Sequence, residues 1–198
     1  MHAKSRRDFV RYSAGTVAGV NALPATLRAG RNDVLRAAVL GVNGRGRSHI
    51  AAFEKQAGVD VTVLCDPDEQ VLHQRAQAFA ETYNRSVETE TDLRKVLDRK
   101  DIDIVSIATP NHWHSLATIW ACQAGKDVYV EKPLSHNVAE GRLAVQIARK
   151  YKRVVQHGTN LRASPHYQEA WKLLQKGIIG KVLMAKAINN QKRPKLKD

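Results

Sequence analysis

Cysteine is scarce in this chain of 198 residues: Cys65 and Cys122 are the only two, with neither CxxC spacing nor neighbouring ligand residues. A disulfide is therefore unsupported, and two unpaired, packed thiols are expected. Long apolar runs are also lacking, with none of about 18 residues or more, so no membrane-spanning helix or stable membrane anchor is expected. Aromatic residues make up 6% and are not interleaved with basic residues on any one element. The formal charge of +13 consequently lacks the motif that would turn it into a nucleic-acid interface. Much of that charge is terminal. Residues 1–30 carry Lys4, Arg6, Arg7, Arg11 and Arg28 against Asp8, and the last eight carry Lys192, Arg193, Lys195 and Lys197 against Asp198. The apolar content of 43% suffices for one core, and the length for one domain plus an appendage.

Ser5-Arg6-Arg7-Asp8-Phe9 precedes a mildly apolar run from Ala14 to Leu23 rich in Ala, Gly and Val. Paired arginines before a weakly hydrophobic stretch and small residues mark a targeting segment. It resembles a bacterial twin-arginine signal, Phe9 standing two places after the second arginine. The resemblance implies export of a folded protein to the periplasm, with residues 1–30 as the signal peptide and cleavage near Ala25 to Ala29.

From Val34 onward, β-branched runs alternate with segments of helical period. Strands are predicted at Leu35 to Val42, Val59 to Asp66, Ile102 to Thr109, Asp127 to Glu131 and Arg153 to His157, with a short one near Val87. Helices are predicted at Arg47 to Gln56, Asp68 to Tyr83, Asp92 to Arg99, His114 to Ala124 and Val138 to Tyr151. That alternation is the pattern of an α/β fold, a Rossmann-type doubly wound parallel sheet, over residues 33–160. After Asn160 the character changes. Pro165 to Lys176 is expected to be helical, Gly177 and Gly180 to turn, and Lys181 to Asn189 to form a further strand, the start of a second domain over 161–198.

Gly41-Val42-Asn43-Gly44-Arg45-Gly46 lies between the first strand and the first helix, where backbone N–H groups and the positive helix end favour phosphate. Gly41 permits the tight turn and Gly46 close helix packing, while Asn43 replaces the middle glycine of the fingerprint. The second strand ends at Asp66, twenty residues after Gly46, in position to accept hydrogen bonds from ribose hydroxyls. Its carboxylate would repel a 2′-phosphate. NAD is therefore favoured over NADP, a preference that Arg45 and Arg47 temper.

Two further motifs end strands on the same sheet edge. Thr109-Pro110-Asn111-His112-Trp113-His114 ends the fourth, where Asn111 and His114 either contact the cofactor or help start a helix. His112 and His114 have no neighbours to complete a metal set, so no metal site is expected. Glu131-Lys132-Pro133 ends the fifth strand. Lys132 is either a solvated strand-end charge or a cation aimed at cofactor and substrate, restrained by Pro133. In the second role its ammonium could bind a substrate hydroxyl, stabilise an alkoxide or relay a proton.

The loop, Cys65-Asp66-Pro67-Asp68, the motif Ala108 to His114, Glu131 to Pro133, His157 to Ala170 and Gly177 to Val182 together resemble the Gfo/Idh/MocA oxidoreductase family. The resemblance covers residues 34 to about 190. It implies an NAD(P)-dependent enzyme exchanging hydride between nicotinamide and a sugar, polyol or related hydroxyl carbon. Lys132 is then the catalytic cation beside the nicotinamide. Gly41, Asn43, Gly44, Arg45, Gly46, Asp66, Thr109, Pro110, Asn111, His114, Glu131 and Lys132 are the implied cofactor contacts.

Family members carry a second α/β domain on a mostly antiparallel sheet, of which only the first elements are expected here. The family's second-domain histidine has no counterpart, and none of His112, His114, His157 or His166 is put in its place. Contacts of a homo-oligomer are expected through that second domain, and self-association or poor solubility is expected without it. A catalytically silent nucleotide-binding module and an NAD-using glycosidase are the alternatives.

Overall fold

The computed structural model describes residues 34–188, so the twin-arginine segment and the basic tail lie outside the described residues. The described residues divide into two compact units, one ending at Gly158 and the other beginning at Thr159.

In the first unit, six parallel strands alternate with helices: β1 (Leu35–Leu40), α1 (Gly46–Glu54), β2 (Val59–Cys65), α2 (Glu69–Tyr83), β3 (Glu88–Glu90), α3 (Leu93–Asp98), β4 (Ile104–Ile107), α4 (His114–Gln123), β5 (Asp127–Glu131), α5 (Val138–Lys150) and β6 (Val155–Gly158). A 3₁₀ turn at Asn111–Trp113 leads into α4. The strand order is β3-β2-β1-β4-β5-β6. The chain winds outward from β1 in one direction and restarts at β4 in the other, placing a crevice at the carboxyl ends of β1 and β4.

β1 shows why the sheet forms. Ala37, Ala38, Val39 and Leu40 are all fully buried, as expected of a strand covered on both faces. Ala37 and Val39 pack with Ile50 of α1 and Leu72 and Phe79 of α2, whereas Ala38 and Leu40 pack with Val96, Leu97, Ala117 and Ala121 of α3 and α4. In β2 the alternation breaks: Ala37 pairs with Val61 but Ala38 with Val63. The bulge at Thr62 moves Val63 and Cys65 onto the face opposite Val59 and Val61.

Side-chain caps fix where three helices begin. Asp68 accepts from the backbone N–H groups of Gln70 and Val71 at α2, Asp92 from that of Arg94 at α3, and Asn137 from that of Glu140 at α5. Both cysteines are buried and free.

The second unit contains α6 (Asn160–Ala163) and α7 (Pro165–Gln175), followed by Gly177 and Gly180 with φ of 73° and 72°. The strand expected from Lys181 does not form over residues 181–188. A strand exists through its ladder, and among the described residues no strand pairs with this segment.

Candidate functional site

The sheet gathers the sequence motifs on one edge. β1 pairs with β2 up to Leu40–Cys65, β1 with β4 up to Leu40–Ile107, and β4 with β5 up to Ile107–Val130. The residues that follow, Gly41, Asp66, Ala108 and Glu131, are therefore neighbours at the carboxyl ends of adjacent strands.

Gly41 has φ of 83°, and a Cβ there would come within 2.7 Å of the backbone of Ala108 and Thr109. The β1 and β4 exits touch so closely that only glycine fits. Gly46 is tighter still, because its Cβ would overlap the carbonyl oxygen of Gly41. Gly44 differs: nothing lies within 4 Å of the Cβ position. Its open side faces away from protein, which leaves room for a ligand against the loop backbone.

Asp66 holds the loop from the β2 side. Its Oδ2 accepts from the backbone N–H of Val42 at 2.9 Å, and its Oδ1 from that of Asp68 at 3.2 Å. Each carboxylate oxygen retains a second lone pair for a further donor.

His114 and Glu131 are placed differently from the direct cofactor contacts expected of them. His114 is 1% exposed, with Nδ1 2.6 Å from the carbonyl oxygen of Pro133 and Nε2 2.9 Å from that of Thr109. Ser115 Oγ donates to the carbonyl oxygen of Leu134 at 2.9 Å. The start of α4 thus clasps the loop after β5 to the end of β4.

Glu131 is 6% exposed and turned inward. Its Oε1 accepts from Arg45 Nε at 2.9 Å and from His49 Nε2 at 3.0 Å, and its Oε2 from the backbone N–H of Lys132 at 3.2 Å. Burial pushes this carboxyl upward, but the Arg45 and His49 hydrogen bonds, the Lys132 N–H and the charge of Arg45 together carry it below the usual carboxylate range. Burial pushes His49 below its ordinary value against the pull of Glu131. The neutral ring that results donates from Nε2, and its Nδ1 accepts from Ser106 Oγ at 2.6 Å. Tyr129 meets the ring edge-on at 5.2 Å. The sequence reading did not find His49, Ser106 or Tyr129. Only the phase of α1, which buries His49 beside Ile50, could have pointed to the first.

Lys132 is exposed, and its ammonium makes no hydrogen bond or ion pair among the described residues. Pro110, Asn111 and His112 are exposed, while Thr109 is half-buried with an Oγ1 that is buried and lacks a partner. Asn43 and Arg45 are exposed on the loop. Among the described residues, no group of three or more His, Cys, Asp or Glu could hold a metal ion.

These features fit a dinucleotide. The open face at Gly44, the spare lone pairs of Asp66 and the orphaned Thr109 hydroxyl are arranged around the β1/β4 crevice. Backbone amides of the loop would hold the pyrophosphate, Asp66 the ribose, and the β4 and β5 exits the nicotinamide half.

The family described as Gfo/Idh/MocA, an oxidoreductase family with an NAD-binding Rossmann fold, matches residues 35–159. A glycosyl hydrolase family 109 protein of Shewanella sp. strain W3-18-1 is 33% identical over 166 residues, covering 81% of this chain and 36% of that protein. Among solved structures, a myo-inositol 2-dehydrogenase from Lactobacillus plantarum superposes with a TM-score of 0.66 at 28% identity, covering 75% of this chain and 43% of that one. The WlbA dehydrogenase from Chromobacterium violaceum, in complex with NADH and UDP-GlcNAcA, gives 0.64 at 26% identity, covering 73% and 40%. The chain thus spans less than half the length of these relatives. It belongs to the Gfo/Idh/MocA oxidoreductase family and carries that family's NAD-binding Rossmann domain.

Proposed function

We propose that this chain takes part in hydride transfer between NAD and a hydroxyl carbon of a sugar or polyol, with Lys132 as the cation that orients the reacting hydroxyl. The observation that carries the reading is the placement of Lys132. It stands exposed at the end of β5, its backbone held by Glu131 and its ammonium free of partners among the described residues. NAD supplies the hydride acceptor when bound. Lys132 donates a hydrogen bond to the substrate oxygen and stabilises the negative charge that develops as the hydroxyl proton leaves. Asp66 favours NAD over NADP by repelling a 2′-phosphate. The relatives' substrates support the class: one neighbour is an inositol dehydrogenase, and another is complexed with a nucleotide sugar.

The twin-arginine segment directs this domain to the periplasm in the same proposal, and the folded export route means that NAD is loaded before export. Replacing Arg6 and Arg7 by lysine and fractionating cells tests it, with retention in the cytoplasm as the expected outcome.

The likeness to glycosyl hydrolase family 109 proteins favours a second reading, an NAD-using glycosidase. Product analysis separates the two. A dehydrogenase accumulates oxidised substrate and NADH in step, whereas a glycosidase releases a sugar with no net change in NADH. Turnover that is present in the wild type and lost in Lys132→Met supports the catalytic placement of Lys132. NAD binding without turnover on either class of substrate supports a silent binding module instead.

A further inference from the structure

The Glu131 cluster is buried, fully hydrogen-bonded and built from residues far apart in sequence. His49 lies on α1, Ser106 on β4 and Glu131 on β5, and they are 5%, 0% and 6% exposed. Their donors run in one direction, from the Ser106 hydroxyl to His49 Nδ1 and from His49 Nε2–H to Glu131 Oε1. The second donor to that oxygen, Arg45, belongs to the phosphate loop and is half exposed. The other oxygen takes the backbone N–H of Lys132.

A buried ionic cluster is a poor means of stabilising a sheet. Apolar groups of the same volume usually do as well or better, because desolvating a carboxylate costs several kcal/mol. What such a cluster does supply is a defined distance and direction between the elements it joins. Here one end is Arg45, whose remaining N–H groups make no hydrogen bond among the described residues, and the other is Lys132.

We propose that Glu131, backed by His49 and Ser106, is a positioning residue that locks the phosphate loop to Lys132, so that the two halves of the dinucleotide site are set by a single carboxylate. The proposal rests on the reading of the loop and Lys132 given above. Glu131 acts through the groups that its two oxygens hold, Arg45 and His49 on one and the Lys132 N–H on the other. Replacing it by glutamine cannot preserve the arrangement. An amide presents one N–H₂ group, which faces either the Arg45 and His49 donors or the Lys132 N–H, so a donor meets a donor in both orientations.

The test is NAD affinity of the full chain, measured by calorimetry on folded protein, with the melting temperature recorded for each variant. E131Q and R45A are each expected to weaken binding about tenfold, the effect of a coupling energy typical for residues in one network. The double variant is expected to be no weaker than the weaker single one. H49L is expected to lose affinity, and H49Q to regain most of it, because an amide at that position can donate to Glu131 and accept from Ser106. Should H49L fail to fold, the half-exposed R45A and the E131Q cycle carry the test. A merely structural brace would lower melting temperatures while leaving the affinity of folded E131Q at the wild-type value, and that result overturns the proposal. Additive losses for Arg45 and Glu131 overturn it too. A wild-type chain that binds no NAD would instead overturn the underlying reading of the loop.

Discussion

Gly46 lies so close to Gly41 that a Cβ on Gly46 would overlap the Gly41 carbonyl oxygen. The first turn of α1 is thereby packed directly on the exit of β1. Backbone cannot yield as a flexible side chain can, so Gly46→Ala is expected to cost about 3 kcal/mol or more. Gly44→Ala has open space for its Cβ and is expected to leave stability within about 1 kcal/mol of wild type. It is expected to weaken NAD binding all the same, because the methyl group would stand where the pyrophosphate approaches. Denaturant titration and calorimetry on the two variants check this separation.

The His114 clasp predicts a second loss. His114→Ala removes the ring N–H from the carbonyl oxygen of Thr109 or Pro133 that accepts it, together with the buried ring between them. A destabilisation of about 2–4 kcal/mol is expected, since a buried unsatisfied group costs about 1–3 kcal/mol and a cavity adds to it. Ser115→Ala, which frees only the carbonyl of Leu134, is expected to cost about 1 kcal/mol. Chemical denaturation of both variants measures the difference.

Stability should fall on mild acidification. Burial holds His49 below its ordinary 6.5 in the folded chain, so the unfolded chain takes up that proton first as pH falls. The contribution is complete above pH 6.5 and is lost between that value and the lower folded-state value. Burial and the charge of Arg45 lower the value and Glu131 raises it, while Ser106 and Tyr129 meet the ring from the other sides. In H49Q the loss of stability over this interval is expected to be smaller than in the wild type. Equal slopes between pH 7 and 5 in urea denaturation of the two proteins would contradict the assignment.

The thiols are expected to be inert in the folded protein. Burial pushes Cys65 up to about 12 and Cys122 up to about 11, so neither carries appreciable thiolate near neutrality. Ellman's reagent is expected to label neither in native protein and both in denaturant.

Much of the fold is legible in the sequence because the central strands are buried on both faces. β1 is apolar but for Arg36 and β2 is rich in valine despite Asp60 and Thr62, and their expected ends lie within two residues of those observed. The expected helix from Asp68 begins one residue later, since Asp68 is its cap. β3 is harder to find. It is a three-residue edge strand, Glu-Thr-Glu, with little apolar signal. The phosphate loop, Asp66 and the β4 and β5 exits are legible as motifs because each carries its chemistry within a few consecutive residues. The Glu131 cluster is not, because Glu131 is 82 positions from His49 and meets it only through the winding of the sheet. Alternation along a strand turns the adjacent Glu131 and Lys132 to opposite sides, but that the carboxylate is the one facing inward follows from its distant partners Arg45 and His49.

The most direct test of the account is calorimetric titration of the full chain with NAD and, separately, NADP. Saturable binding of one NAD per chain is expected, with weaker NADP binding and a marked loss in Asp66→Ala, whose carboxylate also holds the Val42 amide. A folded chain that shows no saturable binding of either nucleotide would contradict it.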